Sequence, residues 1–323
     1  MKTKINTHRD PAAEILRNTR RMNRNRKLKD NVSLWGLALP GFLLMLLFNY
    51  APMFGIVLAF KDYKPRLGIW ESPFVGFKNF EFFFTSQDAG RTITNTLFYA
   101  VVFLILDLIL GVLIALLLYH LRSQRRVKVY HTIMLIPKFL SIIIISFMVY
   151  GFLSPQQGLV NSVISAFGGE PIQWYLEPEY WPAILIIVHC WQILGSGCLY
   201  YYSALVGIDP TLFEAAELDG AGTLQKCWRI AIPSLIPVMC IMLIMGIGGI
   251  FAGDMGLFYN VPKDQGPLYA TTDIIATYTY RSMLGGALEK STAVGLFQSL
   301  AGMIMVLISN GIIRKVSPDN SMF

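Results

Sequence analysis

Charge is scarce in this chain. Only 15% of its 323 residues are Asp, Glu, Lys or Arg, while 54% are hydrophobic. A soluble domain carries roughly 25% charged residues. The shortfall excludes an ordinary soluble domain and makes lipid the main solvent. Cysteine is scarce too: Cys190, Cys198, Cys227 and Cys240 fall in or beside apolar segments. They lack the paired spacing of a metal site or an exported disulfide framework, so they read as small buried hydrophobes. No HExxH, CxxC or Ser/His/Asp set argues for catalysis. The nearest approach to a phosphate-binding loop is LGGALEKST at 284–292, where Lys290 and Ser291 fit the end of the pattern. Glu289 stands where its last glycine is needed and Leu284 where its first belongs, so nucleotide binding is not expected in this chain. The first thirty residues are polar and basic, with no short apolar stretch and cleavage site behind them, so no cleavable signal peptide is expected.

What is present is a set of long apolar runs. About 18 such residues suffice to cross a bilayer core of roughly 30 Å. Six runs qualify, at 34–60, 92–121, 132–153, 181–205, 235–258 and 293–313. Inside lipid each backbone polar group must be satisfied within its own segment, so these are expected to be helices. The fold class is therefore an all-α polytopic membrane protein with six transmembrane helices. A basic tail at 1–33 precedes a membrane domain at 34–315, and a short tail at 316–323 follows.

The net charge of +7 is not spread evenly. Lys and Arg crowd the N-terminal tail, then recur as Arg122, Arg125, Arg126 and Lys128, as Lys226 and Arg229, and as Arg314 and Lys315. The positive-inside rule then puts both termini in the cytoplasm. Lys61, Lys64, Arg66, Lys78 and Arg91 in the first outer loop are a counter-signal, nearly balanced by Asp62, Glu71, Glu81 and Asp88. The basic tail reads as an orientation signal that also touches anionic lipid, and no nucleic-acid partner is expected. The two long outer loops are rich in aromatics and turn residues, which suits short interfacial helices, a docking surface or an aromatic belt at headgroup level.

One cytoplasmic insert breaks the apolar pattern: FEAAELDGAGTLQKCWRIAIPSLIP at 213–237. Asp209 can cap a helix and Pro210 suits its first position, where no N–H is needed. That helix is expected to reach Leu218. Asp219, Gly220, Ala221 and Gly222 then end it, since either glycine can adopt the left-handed conformation. Thr223 can cap a second short helix through Trp228, and Pro233 and Pro237 mark re-entry into the membrane. Ala215 and Ala216 have almost no side chain, so a partner can approach closely, with Glu214 and Glu217 at the edges. The result is a compact bent knob at 207–233. A helix–glycine–helix element also occurs in DNA readers, but an acidic first helix repels phosphate.

These residues closely resemble the EAA loop of the membrane subunits of bacterial binding-protein-dependent ABC importers, type I. The pattern of that family is Glu-Ala-Ala, two residues, Asp-Gly-Ala, then an aromatic, Ile-x-Leu-Pro and a second Pro. Here it is carried by Glu214, Ala215 and Ala216, by Asp219, Gly220 and Ala221, and by Trp228, Ile230, Ile232, Pro233 and Pro237. Cys227 stands where an aromatic is common, and Ile232 replaces the usual Leu. Likeness extends over about 34–313. The stretches NTLFYAVVF, LIPKFLSIIII and LSPQQGLVNSVI, with the segment around the first span, resemble the oligosaccharide-importer branch. The resemblance implies a permease subunit that forms half of a carbohydrate pathway. It implies a second permease, an ATPase dimer docked on the knob, and an extracytoplasmic solute-binding protein. ATP and Mg would be bound by the ATPase, with no cofactor in this chain. A permease for peptides or another small solute is the alternative within transport. A membrane-embedded enzyme would need a catalytic cluster, and a secondary transporter would show an internal repeat of spans.

Polar residues inside the membrane are costly, so each is a functional hypothesis. In the fourth span His189, Gln192, Ser196, Tyr200 and Ser203 recur at helical spacing along one stripe, with Trp191 nearly opposite. This stripe is expected either to face the translocation cavity or to hydrogen-bond neighbouring helices. Asp107 lies mid-span in the second helix and is expected to pair with a partner subunit or line the cavity. Lys138 reads as a snorkelling residue about two turns from the cytoplasmic edge. Gly249 and Gly253, spaced for close helix approach, read as packing positions in the fifth span. Asn95, Gln298 and Asn310 have no assigned role.

Overall fold

The computed structural model describes residues 34–121 and 123–316. The basic tail, Arg122 and the residues after 316 lie outside the described part, and so does what was expected of them. The chain divides into two compact units, at Met1–Val57 and Leu58–Phe323.

In the first unit residues 34–57 are helical and mostly exposed, as part of a helix that ends at Phe60 (α1, Leu34–Phe60). Within α1 the turn Leu46–Tyr50 widens to a π-helix, with Ala51 N–H bonding to the Leu46 carbonyl. Pro52 explains the widening. Its ring would collide with the carbonyl four residues earlier, that of Phe48, which lies inside the widened turn.

The second unit is a helical bundle. In chain order it contains α2 (Lys78–Thr85), α3 (Gln87–Tyr119), α4 (Gln124–Phe139), α5 (Ile142–Leu153) and α6 (Leu159–Ala166). Then follow α7 (Trp181–Val206), α8 (Pro210–Leu218), α9 (Thr223–Gly248), α10 (Met255–Asn260), α11 (Ile275–Leu284) and α12 (Leu288–Val316). Among the described residues five helices are long and apolar enough to cross a membrane, and α4 with α5 makes a sixth span if the bent pair is counted as one.

Three expectations about the spans are corrected. The run 132–153 is not one straight helix: α4 and α5 meet at 94°. Leu140 and Ser141 are extended at the break, and the Ser141 hydroxyl accepts the Ile143 N–H at 3.3 Å to start α5. The fifth helix runs Thr223–Gly248, not 235–258, and Phe258 belongs to α10. Thr223 is therefore not the cap of a separate short helix. Gly222 holds the N-cap position and the helix runs without a break into the membrane. Here too a π turn, Cys227–Ala231, precedes a proline, and Arg229, four residues before Pro233, lies within it. The widened turn accommodates Pro233, and Pro237 lies inside the helix that follows.

Helix α7 is the axis of the bundle, with α3 and α4 packed along it and α9 touching α3, α7 and α12. At the α4–α7 crossing a side chain on Gly195 would run into the backbone of Met134 and Leu135. The Gly195 carbonyl also meets His131 Nε2 at 3.0 Å. The α9–α12 approach centres on Gly248, next to Gly302 and Val306. Close packing thus falls on Gly246 and Gly248. Gly249 meets only its own helix, and Gly253 takes a positive φ of 63° beside Ile274.

One apolar cluster sits near the start of α7, around Trp181, Leu185, Tyr99 and Phe258. A second lies near its end, around Cys198, Tyr201, Leu205 and Leu235. Above the first, Asp273 has a fully buried carboxylate held by Arg91 (2.9 Å), Arg281 (2.5 Å) and the Thr277 hydroxyl (2.8 Å). Burial works to lower the Arg281 pKa, but the hydrogen bond and charge of Asp273, with the charges of Tyr269 and Asp264, together outweigh it and hold the guanidinium above its ordinary value. Asn95 now has a role: its amide donates to the Ala270 and Asp273 carbonyls, tying α3 to the segment before α11. Gln298 likewise donates to the Phe251 carbonyl at 2.7 Å. Both long loops outside the spans carry short helices, α2 in one and α10 and α11 in the other.

Candidate translocation cavity and coupling knob

Asp107 lies in the middle of α3, and Phe103 lies one turn before it. This i, i+4 pair grips the imidazole of His189 on α7. The His189 ring stacks on Phe103 with centroids 3.7 Å apart and planes 3° from parallel. Its Nε2 is 3.0 Å from a carboxylate oxygen of Asp107. A mid-membrane carboxylate is thereby given a partner inside its own chain.

Two cavities meet at Asp107. The larger, about 300 Å³, is lined by Asp107, Lys138, Ser196, Gly197, Tyr200 and Gly246 among others. The smaller, about 200 Å³, is bordered by Asp107, Thr96, Tyr99, Phe103, Gly249 and Asp254. Of the stripe on the fourth span, Ser196 and Tyr200 line the larger cavity and His189 reaches Asp107 behind it. Gln192 and Ser203 line neither. The Ser196 hydroxyl also donates to the Ile193 carbonyl at 3.0 Å, which leaves its lone pairs to accept. Lys138, read from the sequence as a snorkelling residue, also lines the larger cavity, a position that the sequence reading missed. Hydroxyls, one carboxylate and one ammonium around an otherwise apolar wall suit a polar solute held loosely. Among the described residues no group of three His, Cys, Asp or Glu side chains could hold a metal ion.

The knob is built by local rules. Asp209 Oδ1 accepts the Thr211 N–H at 3.0 Å, and Pro210 follows at the first helical position. That backbone hydrogen bond, with a further one from the Thr211 side chain, holds the Asp209 carboxyl below its ordinary pKa. At the other end Ala221 N–H bonds to the Ala216 carbonyl at 2.8 Å and Gly220 N–H to the Glu217 carbonyl at 3.0 Å. This is a Schellman ending, with Gly220 at a φ of 78° in the left-handed region. Lys226 at the start of α9 reaches back to Glu217 at 3.1 Å and spans the bend. Phe213 packs on Tyr119 at the end of α3, centroids 5.6 Å apart. Glu214, Ala215, Glu217, Asp219 and Gly220 are exposed, while Ala216 and Ala221 are half-buried. Around them stand unusually bare apolar side chains: Leu218 is 91% exposed, Leu224 76% and Trp228 68%. Exposed apolar side chains on a projection suit a protein-contact surface.

Comparison with known proteins agrees with this geometry. The model of the family described as "Binding-protein-dependent transport system inner membrane component" matches residues 107–319. The polygalacturonan/rhamnogalacturonan transport system permease protein YteP of Bacillus subtilis is 34% identical over 294 residues, covering 91% of each chain. Protein LplB of the same organism is 33% identical over 90% of this chain and 92% of its own. Among solved structures, a bacterial ABC transporter involved in import of the acidic polysaccharide alginate matches with a TM-score of 0.82 and 31% identity. The match covers 91% of this chain and 99% of that one. Motif, fold and relatives agree that this multi-pass membrane chain belongs to the family of binding-protein-dependent transport system inner membrane components.

Proposed function

We propose that the chain is one of two permease subunits of an ATP-driven importer for a carbohydrate, with an oligosaccharide as its solute. The knob at 207–233 docks on a separate ATPase dimer, which binds ATP and Mg and hydrolyses the nucleotide. Glu214, Ala215, Ala216, Glu217, Asp219, Gly220 and Ala221 form the contact. A second permease completes the pathway, and a solute-binding protein delivers the solute from outside. Both termini lie in the cytoplasm, the side of the knob. The Asp107 cavity, with His189, Ser196 and Tyr200, forms this chain's half of the path. Gln192 and Ser203 extend the same helix face along it.

The observation that carries this reading is the mechanical continuity of the knob. A rigid helix with an exposed apolar edge turns through Gly220 directly into α9, which borders the Asp107 cavity through Met242, Leu243 and Gly246. Force applied to α8 therefore reaches the cavity wall without passing through a flexible loop. The polygalacturonan/rhamnogalacturonan permease among the relatives and the alginate importer among the solved structures support a carbohydrate as the solute.

The test is a cysteine placed at Ala215 in the complex purified through a tag on this chain. Cross-linking to a co-purifying ATPase is expected, together with uptake of a labelled oligosaccharide into proteoliposomes that stops without ATP. ATP-independent uptake, or active uptake with no ATPase ever captured, would reject the reading.

A further inference from the structure

We propose that Lys138 is a carboxylate-binding residue of the translocation cavity and that the solute is an oligosaccharide bearing uronate groups. This rests on the reading of the chain as a carbohydrate permease and deepens it.

Lys138 stands in the last turn of α4, just before the 94° break to α5. It shares the larger cavity with Asp107, Ser196 and Tyr200. Its depth is set by two helices independently. Asp107 precedes the end of α3 at Tyr119 by roughly 18 Å, and Lys138 follows the start of α4 at Gln124 by roughly 21 Å, at 1.5 Å per residue. Both helix ends lie on the side of the knob. A four-carbon stem covers only a fraction of that distance, so the ammonium stays at the level of the cavity rather than reaching headgroups.

No carboxylate among the described residues lies within ion-pairing distance of Lys138, and no hydrogen bond from it is seen. The carboxylate in the same cavity, Asp107, is engaged by His189 instead. A cation at this depth without a counter-ion in its own chain is costly unless something anionic visits it. The visitor's chemistry follows from what surrounds the ammonium. One point charge, the three hydroxyl side chains of Ser196, Tyr200 and Tyr201, and one carboxylate acceptor match a pyranose that carries one carboxylate and several hydroxyls. A phosphate dianion would face Asp107 with only one cation and no bidentate donor to hold it. A single exposed ammonium also binds weakly enough to release, as a transport path requires.

The test uses the intact importer, purified through this chain and reconstituted in proteoliposomes with its solute-binding protein. The probes are trigalacturonate and its carboxyl-reduced counterpart, galactotriose. Lys138→Gln is expected to cut ATP-dependent trigalacturonate uptake tenfold or more, and Lys138→Arg to keep it within threefold of the unaltered complex. ATPase co-purification should be unchanged in both, and galactotriose uptake by Lys138→Gln should change less than threefold. Undiminished trigalacturonate uptake by Lys138→Gln would overturn the assignment. So would galactotriose entering the unaltered importer as fast as trigalacturonate, a result independent of any variant. In both cases the permease reading stands. An unaltered complex that imports no oligosaccharide at all would remove that reading and the assignment with it.

Discussion

Asp107 and His189, 82 residues apart in sequence, face each other across the α3–α7 interface at 3.0 Å, and Phe103 clamps the imidazole from one side. The pair keeps a carboxylate in mid-membrane. Removing one partner leaves the other partly desolvated, and a hydrogen bond to a charged group is worth about 1.5–3 kcal/mol. Asp107→Leu and His189→Leu are each expected to destabilise the assembled complex by the lower part of that range, because the Asp107 side chain is 33% exposed. The double variant should lose less than the sum of the two. Thermal-unfolding midpoints of the four proteins in detergent measure this, and strict additivity would deny the coupling.

The knob was legible in the sequence because each of its parts is local. Asp209 and Pro210 start a helix by their own chemistry, and Gly220 ends it by its own conformational freedom. The cavity was half legible. Periodicity placed His189, Ser196 and Tyr200 on one face, but no local rule says that His189 meets Asp107 or that Gln192 stands apart from the cavity. The break between α4 and α5 was hidden because LIPKFLSIIII is apolar on both sides of it. The single start of α9 was hidden for the opposite reason: Pro233 and Pro237 look like boundaries, and only the three-dimensional widening of Cys227–Ala231 shows how the first is accommodated.

The Asp273 knot should govern the stability of the end of the bundle opposite the knob. Its carboxylate is fully buried between Arg91 and Arg281, which are themselves 33% and 22% exposed. Asp273→Leu leaves two guanidinium groups facing an apolar side chain. Breaking a buried pair costs about 3–5 kcal/mol, and the part-exposed arginines place this case near the lower bound. Asp273→Asn, which keeps the shape and its acceptor oxygen, should cost visibly less. Thermal unfolding of the two variants against the unaltered complex decides it, and a fully stable Asp273→Leu would contradict the ordering.

Two glycines two residues apart on α7, on nearly opposite faces, should respond in opposite ways to the same substitution. A methyl group on Gly195 collides with the Met134 backbone, whereas on Gly197 it meets nothing within 4 Å. Backbone cannot rotate aside as a side chain can, so Gly195→Ala should cost about 1–3 kcal/mol by forcing α4 and α7 apart. Gly197→Ala should be neutral or slightly stabilising, since alanine favours a helix over glycine. Yield of assembled complex and thermal midpoint read both variants, and equal behaviour of the pair would show that the helices do not cross at Gly195.

Coupling can be weakened through the backbone conformation of one contact residue without touching the cavity. Gly220 holds a φ of 78°, where any residue with a Cβ is strained by roughly 1–2 kcal/mol. Its Cβ would meet no neighbour within 4 Å, so the cost of Gly220→Val is conformational alone. The strain is relieved by unwinding the end of α8, which breaks the bonds from Gly220 and Ala221 and frees α8 to move independently of α9. The helices of the bundle do not depend on that turn. Gly220→Val is therefore expected to leave the thermal midpoint of the membrane domain unchanged while lowering ATPase co-purification and uptake several-fold. Gly220→Asn, which tolerates the left-handed region, should recover most of both. If valine at this position supports full uptake, the rigid turn between α8 and α9 is not the route by which force enters the bundle.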